Sequence, residues 1–327
     1  MDAKAAVGRR CDVRNNFQYS GRVAEWFKAP VLKTGRGESL SWVRIPPLPP
    51  SPSQNRTNQR VGYLSDAEYD FQGITRMATA DIRAAYLDLM CDSLIGRLNE
   101  DPPLPACKLE GYRDEFREHG WDWPSKAPSM IGAKRMNNVR SECERVITAN
   151  VPGDFMETGV WRGGACIMMR AVLKAYQIAD RRVIAADTFS GPPPPSEGVA
   201  PDAEAYLHTY EEFAVPLAEV KAAFSRYGLL DEQVIFLKGL FRDTLPTTPT
   251  EALAVLRLDG DMYESTMDGL VNLYHKLSSG GTLIADDYFL FEAHRKAIDE
   301  FRAAHRITDP IIQIDNYGGY WIKGPPS

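Results

Sequence analysis

From Gly153 onward the chain alternates short apolar runs with longer stretches in which apolar residues recur every three or four positions. Apolar runs of four to six residues bounded by Gly, Pro or Asp have the pattern of buried strands. The three-to-four spacing is that of a helix packed on one side. The pattern predicts strands at Asp154–Glu157, Arg182–Ala186, Val234–Lys238, Leu253–Leu258 and Thr282–Ala285. Helices are expected from Gly163 to about Tyr176, and over Leu217–Tyr227, Ser265–Leu277 and Ala293–His305. Pro310–Ile314 and Gly319–Lys323 read as a closing antiparallel pair, turned at Asp315-Asn316-Tyr317-Gly318. Strand-then-helix repetition builds a doubly wound α/β sheet covered by helices.

Upstream the pattern is helical and then irregular. Ile82, Ala85, Tyr86, Leu89, Met90 and Leu94 line one face of a helix expected over Ala80–Leu98. A second helix is expected over Met136–Ala149, burying Val139, Cys143, Val146 and Ile147. Between them lie the Pro-broken stretch Asp101–Ala106, the aromatic and charged run Gly111–Trp123, and Pro124–Pro128. Residues 77–128 thus read as a helical cap or lid on a main domain of residues 129–327. Residues 1–76 do not read as a domain. Prolines cluster at Pro46, Pro47, Pro49, Pro50 and Pro52 before a polar run, too little apolar surface to offset ordering entropy. Val23–Ala29 and Trp42–Pro46 back-translate to the arms of a transfer-RNA gene. That points to a start assigned too far upstream, with Met77 the leading candidate.

Composition narrows the class. Of 327 residues, 44% are hydrophobic and 25% charged, enough to bury a core. The formal net charge of −6 argues against nucleic acid or an anionic membrane as the main partner. No apolar stretch is long enough to span a bilayer, and no signal-peptide pattern follows the first charges. Cys11, Cys91, Cys107, Cys143 and Cys166 are scattered without C-x-x-C spacing, as expected of buried thiols in the cytoplasm.

Candidate chemistry concentrates at the strand ends. The first expected strand feeds the turn Thr158-Gly159-Val160-Trp161-Arg162 and then a helix, an arrangement that leaves backbone N–H groups for a ligand. The turn lacks the G-x-G-x-x-G fingerprint, and Val160, Trp161 and Arg162 would crowd a pyrophosphate. An adenosyl ligand without phosphate fits better than a dinucleotide. Acids follow three strands: Asp187, Asp259 and the pair Asp286-Asp287. In an open α/β sheet all of them reach one edge, where ligands bind. Asp187 lies 30 residues after Glu157, near the usual place of a ribose-binding acid. Adjacent carboxylates resist joint ionisation, and a divalent cation relieves that cost. Oxygen-only ligation suits Mg²⁺, while a solvated acidic loop or a helix cap at Asp287 is the plainer alternative. His119, His208, His275, His294 and His305 show no zinc spacing, and no G-x-S-x-G elbow is present. The loop over residues 188–215 is long for a compact domain and reads as a lid.

The stretches around Met130-Ile131-Gly132, Arg135–Asn138, Pro152–Ala171, Ala186–Gly191, Tyr227–Gly239, Asp243–Pro246, Leu253–Thr266, Tyr274–Gly281, Ile284–Tyr288 and Gly318–Trp321 carry a resemblance. Together they resemble the macrocin O-methyltransferase family, which methylates deoxysugar hydroxyls of macrolides. The resemblance implies a class I methyltransferase fold, Rossmann-like, with a seven-stranded, mostly parallel sheet and an antiparallel C-terminal strand. It implies S-adenosylmethionine and Mg²⁺ as cofactors, a glycosylated natural product or polyol as acceptor, and a homodimer or larger assembly. By position, Glu157, Thr158, Gly159, Val160 and Arg162 would line the methionine moiety. Asp187 would bind ribose, with Thr188, Phe189 and Gly191 beside the adenosine, and Gly239 and Phe241 would flank adenine. Met130 would close over the cofactor. Asp259, Asp286 and Asp287 would hold the metal, and Asp259, or else Asp261, would take the acceptor proton. A non-catalytic S-adenosylmethionine-binding protein and an NAD-type oxidoreductase are the competing readings. The lid from Pro192 to Glu212 and Phe289-Leu290-Phe291 depart from the family pattern.

Overall fold

A computed structural model of the chain describes residues 71–325. The expectations about residues 1–70 lie outside the described residues, and Met77 falls within the first described helix. Seven strands form one sheet: β1 (Asp154–Thr158), β2 (Val183–Asp187), β3 (Val234–Lys238), β4 (Leu253–Leu258), β5 (Leu277–Ala285), β6 (Ile312–Gln313) and β7 (Gly319–Ile322). Their spatial order is β3-β2-β1-β4-β5-β7-β6. The first five are parallel, while β7 runs antiparallel to β5 and β6 antiparallel to β7.

Side chains of the central strands alternate between two cores, as a pleat covered on both faces requires. Phe155, Val183, Ala185, Val255 and Ile284 pack to one side with α1 (Phe71–Leu94), α3 (Gly132–Thr148), α4 (Gly164–Ala175) and α5 (Leu217–Arg226). Met156, Ile184, Ala186, Leu256 and Leu283 pack to the other with α7 (Tyr263–Leu273) and α8 (Glu292–Ala304). Two short helices complete the fold: α2 (Asp114–His119) in the cap and α6 (Phe241–Thr244) after β3.

The parallel strands fall within a residue of the expected bounds except β5, which begins at Leu277. The pairing of β4 with β5 jumps between Leu253 and Val255, so Ser278-Ser279-Gly280-Gly281 form an irregularity inside the strand, not a turn. Gly280 and Gly281 exchange backbone hydrogen bonds with Lys323, which keeps them in the sheet. The helix expected over Ser265–Leu277 ends as an α-helix at Leu273 and tightens into a 3₁₀ turn over Tyr274–Lys276. α1 stops at Leu94, four residues short of expectation: Gly96 leaves the helix at φ +74°, and the buried Arg117 guanidinium takes the Ile95 carbonyl. The closing hairpin turns where expected: Asp315 Oδ1 accepts from the N–H of Tyr317 and of Gly318, each at 2.8 Å. Among the described residues no helix is long and apolar enough to cross a membrane.

Candidate active site

The winding of the sheet reverses between β1 and β4, and the carboxyl ends of these strands open a crevice. Each exit residue is tied to the neighbouring strand. Gly159 N–H donates to Ala186 O at 2.9 Å, Asp259 N–H to Thr158 O at 2.9 Å, Asp286 N–H to Leu258 O at 3.0 Å, and Gly239 N–H to Asp187 O at 3.0 Å. This stitching holds the strand-end acids in one row. Gly159 is required at its place: its φ is +86°, and a Cβ there would lie 1.9 Å from the Asp259 carbonyl oxygen.

A buried ionic network underlies the row. Arg257, on the inner strand β4 and 1% exposed, pairs with Glu157, with Asp259 at 2.9 Å and with Asp286. Arg135 from α3 pairs with Asp286 and, at 3.2 Å, with Asp315. Burial works against the charge of Arg257, yet Asp286, Asp259 and Glu157 raise its pKa well above the ordinary value. Burial raises the Glu157 carboxyl, with Arg257 opposing. Burial and then Asp286 push Asp259 well above the carboxylate range, again against Arg257.

Asp259, Asp261 and Asp287 each offer a carboxylate oxygen, all within 4.8 Å of one another. The group differs from the expected trio at one member. Asp286 shares the strand end, but its carboxylate is engaged by Arg135 and Arg257, and Asp261 stands beside Asp259 and Asp287 in its stead. Asp261 reaches this position through a left-handed backbone, φ +59°, uncommon for a residue with a side chain. Six carboxyl groups (Glu157, Asp259, Asp261, Asp286, Asp287 and Asp315) thus meet two guanidinium groups. An all-oxygen donor set with surplus negative charge suits a hard divalent cation.

The remaining expected residues divide in two. A cleft of about 1210 Å³, counted to its open mouth, is lined by Met130, Glu157, Gly159, Val160, Asp187, Thr188, Gly191, Phe241, Asp259 and Asp261, among others. Asp187 is fixed for binding: its Oδ2 accepts from Val160 N–H at 2.7 Å and its Oδ1 from Phe189 N–H at 2.7 Å. Burial raises its pKa against these donors. Thr158, Arg162, Phe189 and Gly239 do not line the cleft. The Thr158 side chain is buried in the sheet, and Phe189 packs edge-on to Phe236. Gly239 turns the chain after β3. Arg162 donates to the carbonyls of Pro124 (2.9 Å) and Ala127 (3.2 Å), clamping the cap segment instead of a ligand. The start of α4 differs from expectation as well. Gly164 N–H, expected to be left for a ligand, donates to Pro128 O at 3.1 Å.

The roof is aromatic. Trp123 from the cap meets Tyr210 and Phe213 of the lid edge-to-face, with ring centres 5.8 and 5.1 Å apart, and Met130 packs beside them. Trp161 Nε1–H donates to Glu212 O at 2.9 Å, tying the lid to the turn after β1.

Comparisons with known proteins give the family and the fold. Residues 84–323 match the family model of the macrocin O-methyltransferases (TylF). The chain belongs to the macrocin O-methyltransferase family. It is 50% identical over 254 residues to the demethyldecarbamoylnovobiocin O-methyltransferase of Streptomyces niveus, covering 76% of this chain and 97% of the relative. It is 48% identical over 244 residues to the mycinamicin III 3''-O-methyltransferase of Micromonospora griseorubida, covering 73% and 96%. The solved O-methyltransferase NovP superposes with a TM-score of 0.72 at 50% identity, over 74% of this chain and all of that one. The fold is therefore that of a class I O-methyltransferase, and membership of the family brings S-adenosylmethionine with it.

In this macrocin O-methyltransferase relative, sequence reasoning overlooked Arg257 and Arg135. Arg257 left a signal: it is the single charged residue in the apolar strand Leu253–Leu258. A charge there must be paired. Arg135 left none, because arginine on a polar helix face is ordinary. Trp123 and Phe213 join the cleft only through packing between distant segments.

Proposed function

We propose that the chain is an S-adenosylmethionine- and Mg²⁺-dependent O-methyltransferase acting on a sugar hydroxyl of a glycosylated natural product. The observation that carries this is the meeting of Asp259 and Asp261, which line the same crevice as Asp187 and Gly159, with the buried Asp287 behind them. The activities named for the relatives, on demethyldecarbamoylnovobiocin, a rhamnosyl tetracenomycin C and mycinamicin III, support the acceptor class.

S-adenosylmethionine supplies the electrophilic methyl group. Asp187 would receive the ribose hydroxyls, Gly159 and Val160 would face the methionine moiety, and Met130, Thr188, Gly191 and Phe241 would close around the rest. Arg257 holds both Glu157 and Asp259 on its Nη1 and Asp286 on its Nη2. Asp259 and Asp287 would hold a divalent cation, whose contribution is to acidify the acceptor hydroxyls. As the residues stand, Asp261 favours itself over Asp286 as the third ligand, since Asp286 is committed to two arginines. Asp259 would take the acceptor proton in this scheme, and the alignment of oxygen with methyl would give the remaining advantage through orientation. The roof of Trp123, Tyr210 and Phe213 would cover the acceptor and exclude water.

Calorimetric titration with S-adenosylhomocysteine and with Mg²⁺ tests the proposal. Wild type should bind both, Asp187→Ala should lose the nucleoside, and Asp259→Asn should lose the metal. Comparing Asp261→Asn with Asp286→Asn decides the third ligand: whichever abolishes Mg²⁺ binding while sparing S-adenosylhomocysteine supplies it. Absence of S-adenosylhomocysteine binding to folded wild type would overturn the proposal. Binding without metal-dependent turnover of any diol would favour a non-catalytic binding protein.

The proposal extends to organisation. Residues 77–128 serve as cap and 129–327 as the methyltransferase domain, in a homodimer or larger assembly in the cytoplasm. Cys91, Cys107, Cys143 and Cys166 are free and buried. Light scattering at working concentration tests the assembly.

A further inference from the structure

α7 carries no capping residue of its own. Its N-cap position is Met262, whose side chain offers no acceptor to the first-turn N–H groups. Those groups must find partners elsewhere. They find one in the lid, 61 residues upstream. Asp202 Oδ1 accepts from Tyr263 N–H at 2.7 Å, and Asp202 Oδ2 accepts from Glu264 N–H at 3.0 Å. Asp202 is fully buried. The 3₁₀ turn that carries it, Ala200–Asp202, rests against both α7 and α8. A buried carboxylate tied to two helix-start N–H groups is among the stronger caps, because both bonds are charge-assisted and the helix dipole favours the charge.

The segment this cap fastens is the one bearing the acids. Asp259 is tied to β1 through its N–H on Thr158 O. Only Gly260, Asp261 and Met262 separate it from α7, in a tight turn where Met262 N–H donates to Gly260 O at 2.6 Å. Asp261 sits inside that turn in the left-handed region, a conformation that persists only where the surroundings fix it. The turn is therefore held at one end by the sheet and at the other by a lid residue. We infer that Asp202 is a positioning residue that couples lid docking to the geometry of the Asp259–Asp261 turn, so that the carboxylate cluster is assembled when the lid is seated.

The inference rests on the metal reading proposed above, and its test separates the two. Asp202→Ala removes both acceptors, and Asp202→Asn keeps one side-chain oxygen, asparagine being as good a cap as aspartate in most helices. Titration of each with S-adenosylhomocysteine and, separately, with Mg²⁺ should split the sites. In Asp202→Ala, Mg²⁺ affinity should fall roughly tenfold, the equivalent of about one lost cap. S-adenosylhomocysteine affinity should stay within about twofold, because Asp187 and Gly159 are not touched. Asp202→Asn should regain most of the Mg²⁺ affinity. Chymotrypsin, for which the lid offers Tyr206, Tyr210 and Phe213, should cut the lid of Asp202→Ala faster than that of wild type. Unchanged Mg²⁺ affinity in Asp202→Ala overturns the inference. Equal loss of both ligands without rescue by asparagine also overturns it, since that pattern is general unfolding. A wild-type chain that binds S-adenosylhomocysteine but no Mg²⁺ overturns the metal reading and this inference with it.

Discussion

The floor and the roof of the cleft are built by opposite means. The floor consists of charges held by strands: Arg257, Glu157, Asp259 and Asp286 stand on or just past β1, β4 and β5, and their backbones are stitched together by sheet hydrogen bonds. The roof consists of aromatic rings from loops: Trp123, Tyr206, Tyr210 and Phe213 touch one another more than they touch the two main cores. A buried charge tolerates no misplacement, because losing a partner leaves an ion in a low-dielectric interior. An aromatic contact between loops tolerates re-packing at modest cost. The floor is suited to fixing reacting atoms, and the roof to accepting different acceptors.

The largest effect should come from breaking the floor at its centre. Arg257→Met leaves Glu157, Asp259 and Asp286 without their shared cation. Removing one partner of a buried pair costs about 3–5 kcal/mol, so the variant should melt far below wild type in a thermal scan. Arg257→Lys should recover only part of this, since one ammonium cannot reproduce a planar fork among three carboxylates. A variant Arg257→Met that melts with wild type would mean the network is not holding the floor.

Gly159→Ala attacks the stitching instead of the charges. A Cβ at φ +86° is strained, and here it would meet the Asp259 carbonyl at 1.9 Å, so β1 and β4 must part at their ends. The expected loss is about 2 kcal/mol, with S-adenosylhomocysteine affinity falling more than Asp187→Asn would cause alone. Equal affinity to wild type would show that the two strand ends separate without harm.

Phe213→Ala tests the roof. The ring is half-buried, and deleting its contact with Trp123 should cost about 1 kcal/mol. S-adenosylhomocysteine affinity should hold, while KM for acceptor rises several-fold with kcat less affected. A fall in nucleoside affinity with acceptor KM unchanged would assign the ring to the other ligand.

The same contrast explains what the sequence made legible. Buried parallel strands are unbroken apolar runs ended by Gly or Asp, so β1 to β4 and the row of acids could be read with their order. The family resemblance rested on those same segments. The direction of a side chain at a strand end could not be read. Asp286 and Asp287 are neighbours, yet one faces two arginines and the other the carboxylate group, and only the placement of Arg257 and of Arg135, 151 residues away, separates them. Arg162 looked like a ligand residue because it follows Gly159, but its reach is spent on carbonyls of the cap. Gly280 and Gly281 looked like a turn because a bulge and a turn use the same residue. The cap supplied by Asp202 left no local trace, since α7 begins with Met262 and its partner lies in the lid.

The smallest expected effect lies outside the cleft and calibrates the rest. Arg170 of α4 holds Asp231 with two hydrogen bonds, at 3.0 and 2.5 Å, where the chain turns into β3. The Arg170 hydrogen bond holds the Asp231 carboxyl below its ordinary value, with burial opposing. A carboxylate whose folded pKa is depressed contributes stability that is present above its unfolded pKa and lost as pH falls through the folded one. Asp231 is about a third exposed, so the contribution is that of a screened pair, ~0.5–1 kcal/mol. Asp231→Asn should therefore lower stability by that amount at pH 7, measured by urea unfolding. The gap to wild type should close as the pH drops below about 4, where the unfolded carboxylate is itself protonated. The variant should leave S-adenosylhomocysteine and Mg²⁺ binding alone, because its ion pair braces α4 against the outer edge of the sheet and touches neither floor nor roof. A gap that persists unchanged at acid pH would show that Asp231 acts through its backbone turn, where its Oδ1 accepts from Gln233 N–H at 3.2 Å, and not through its charge.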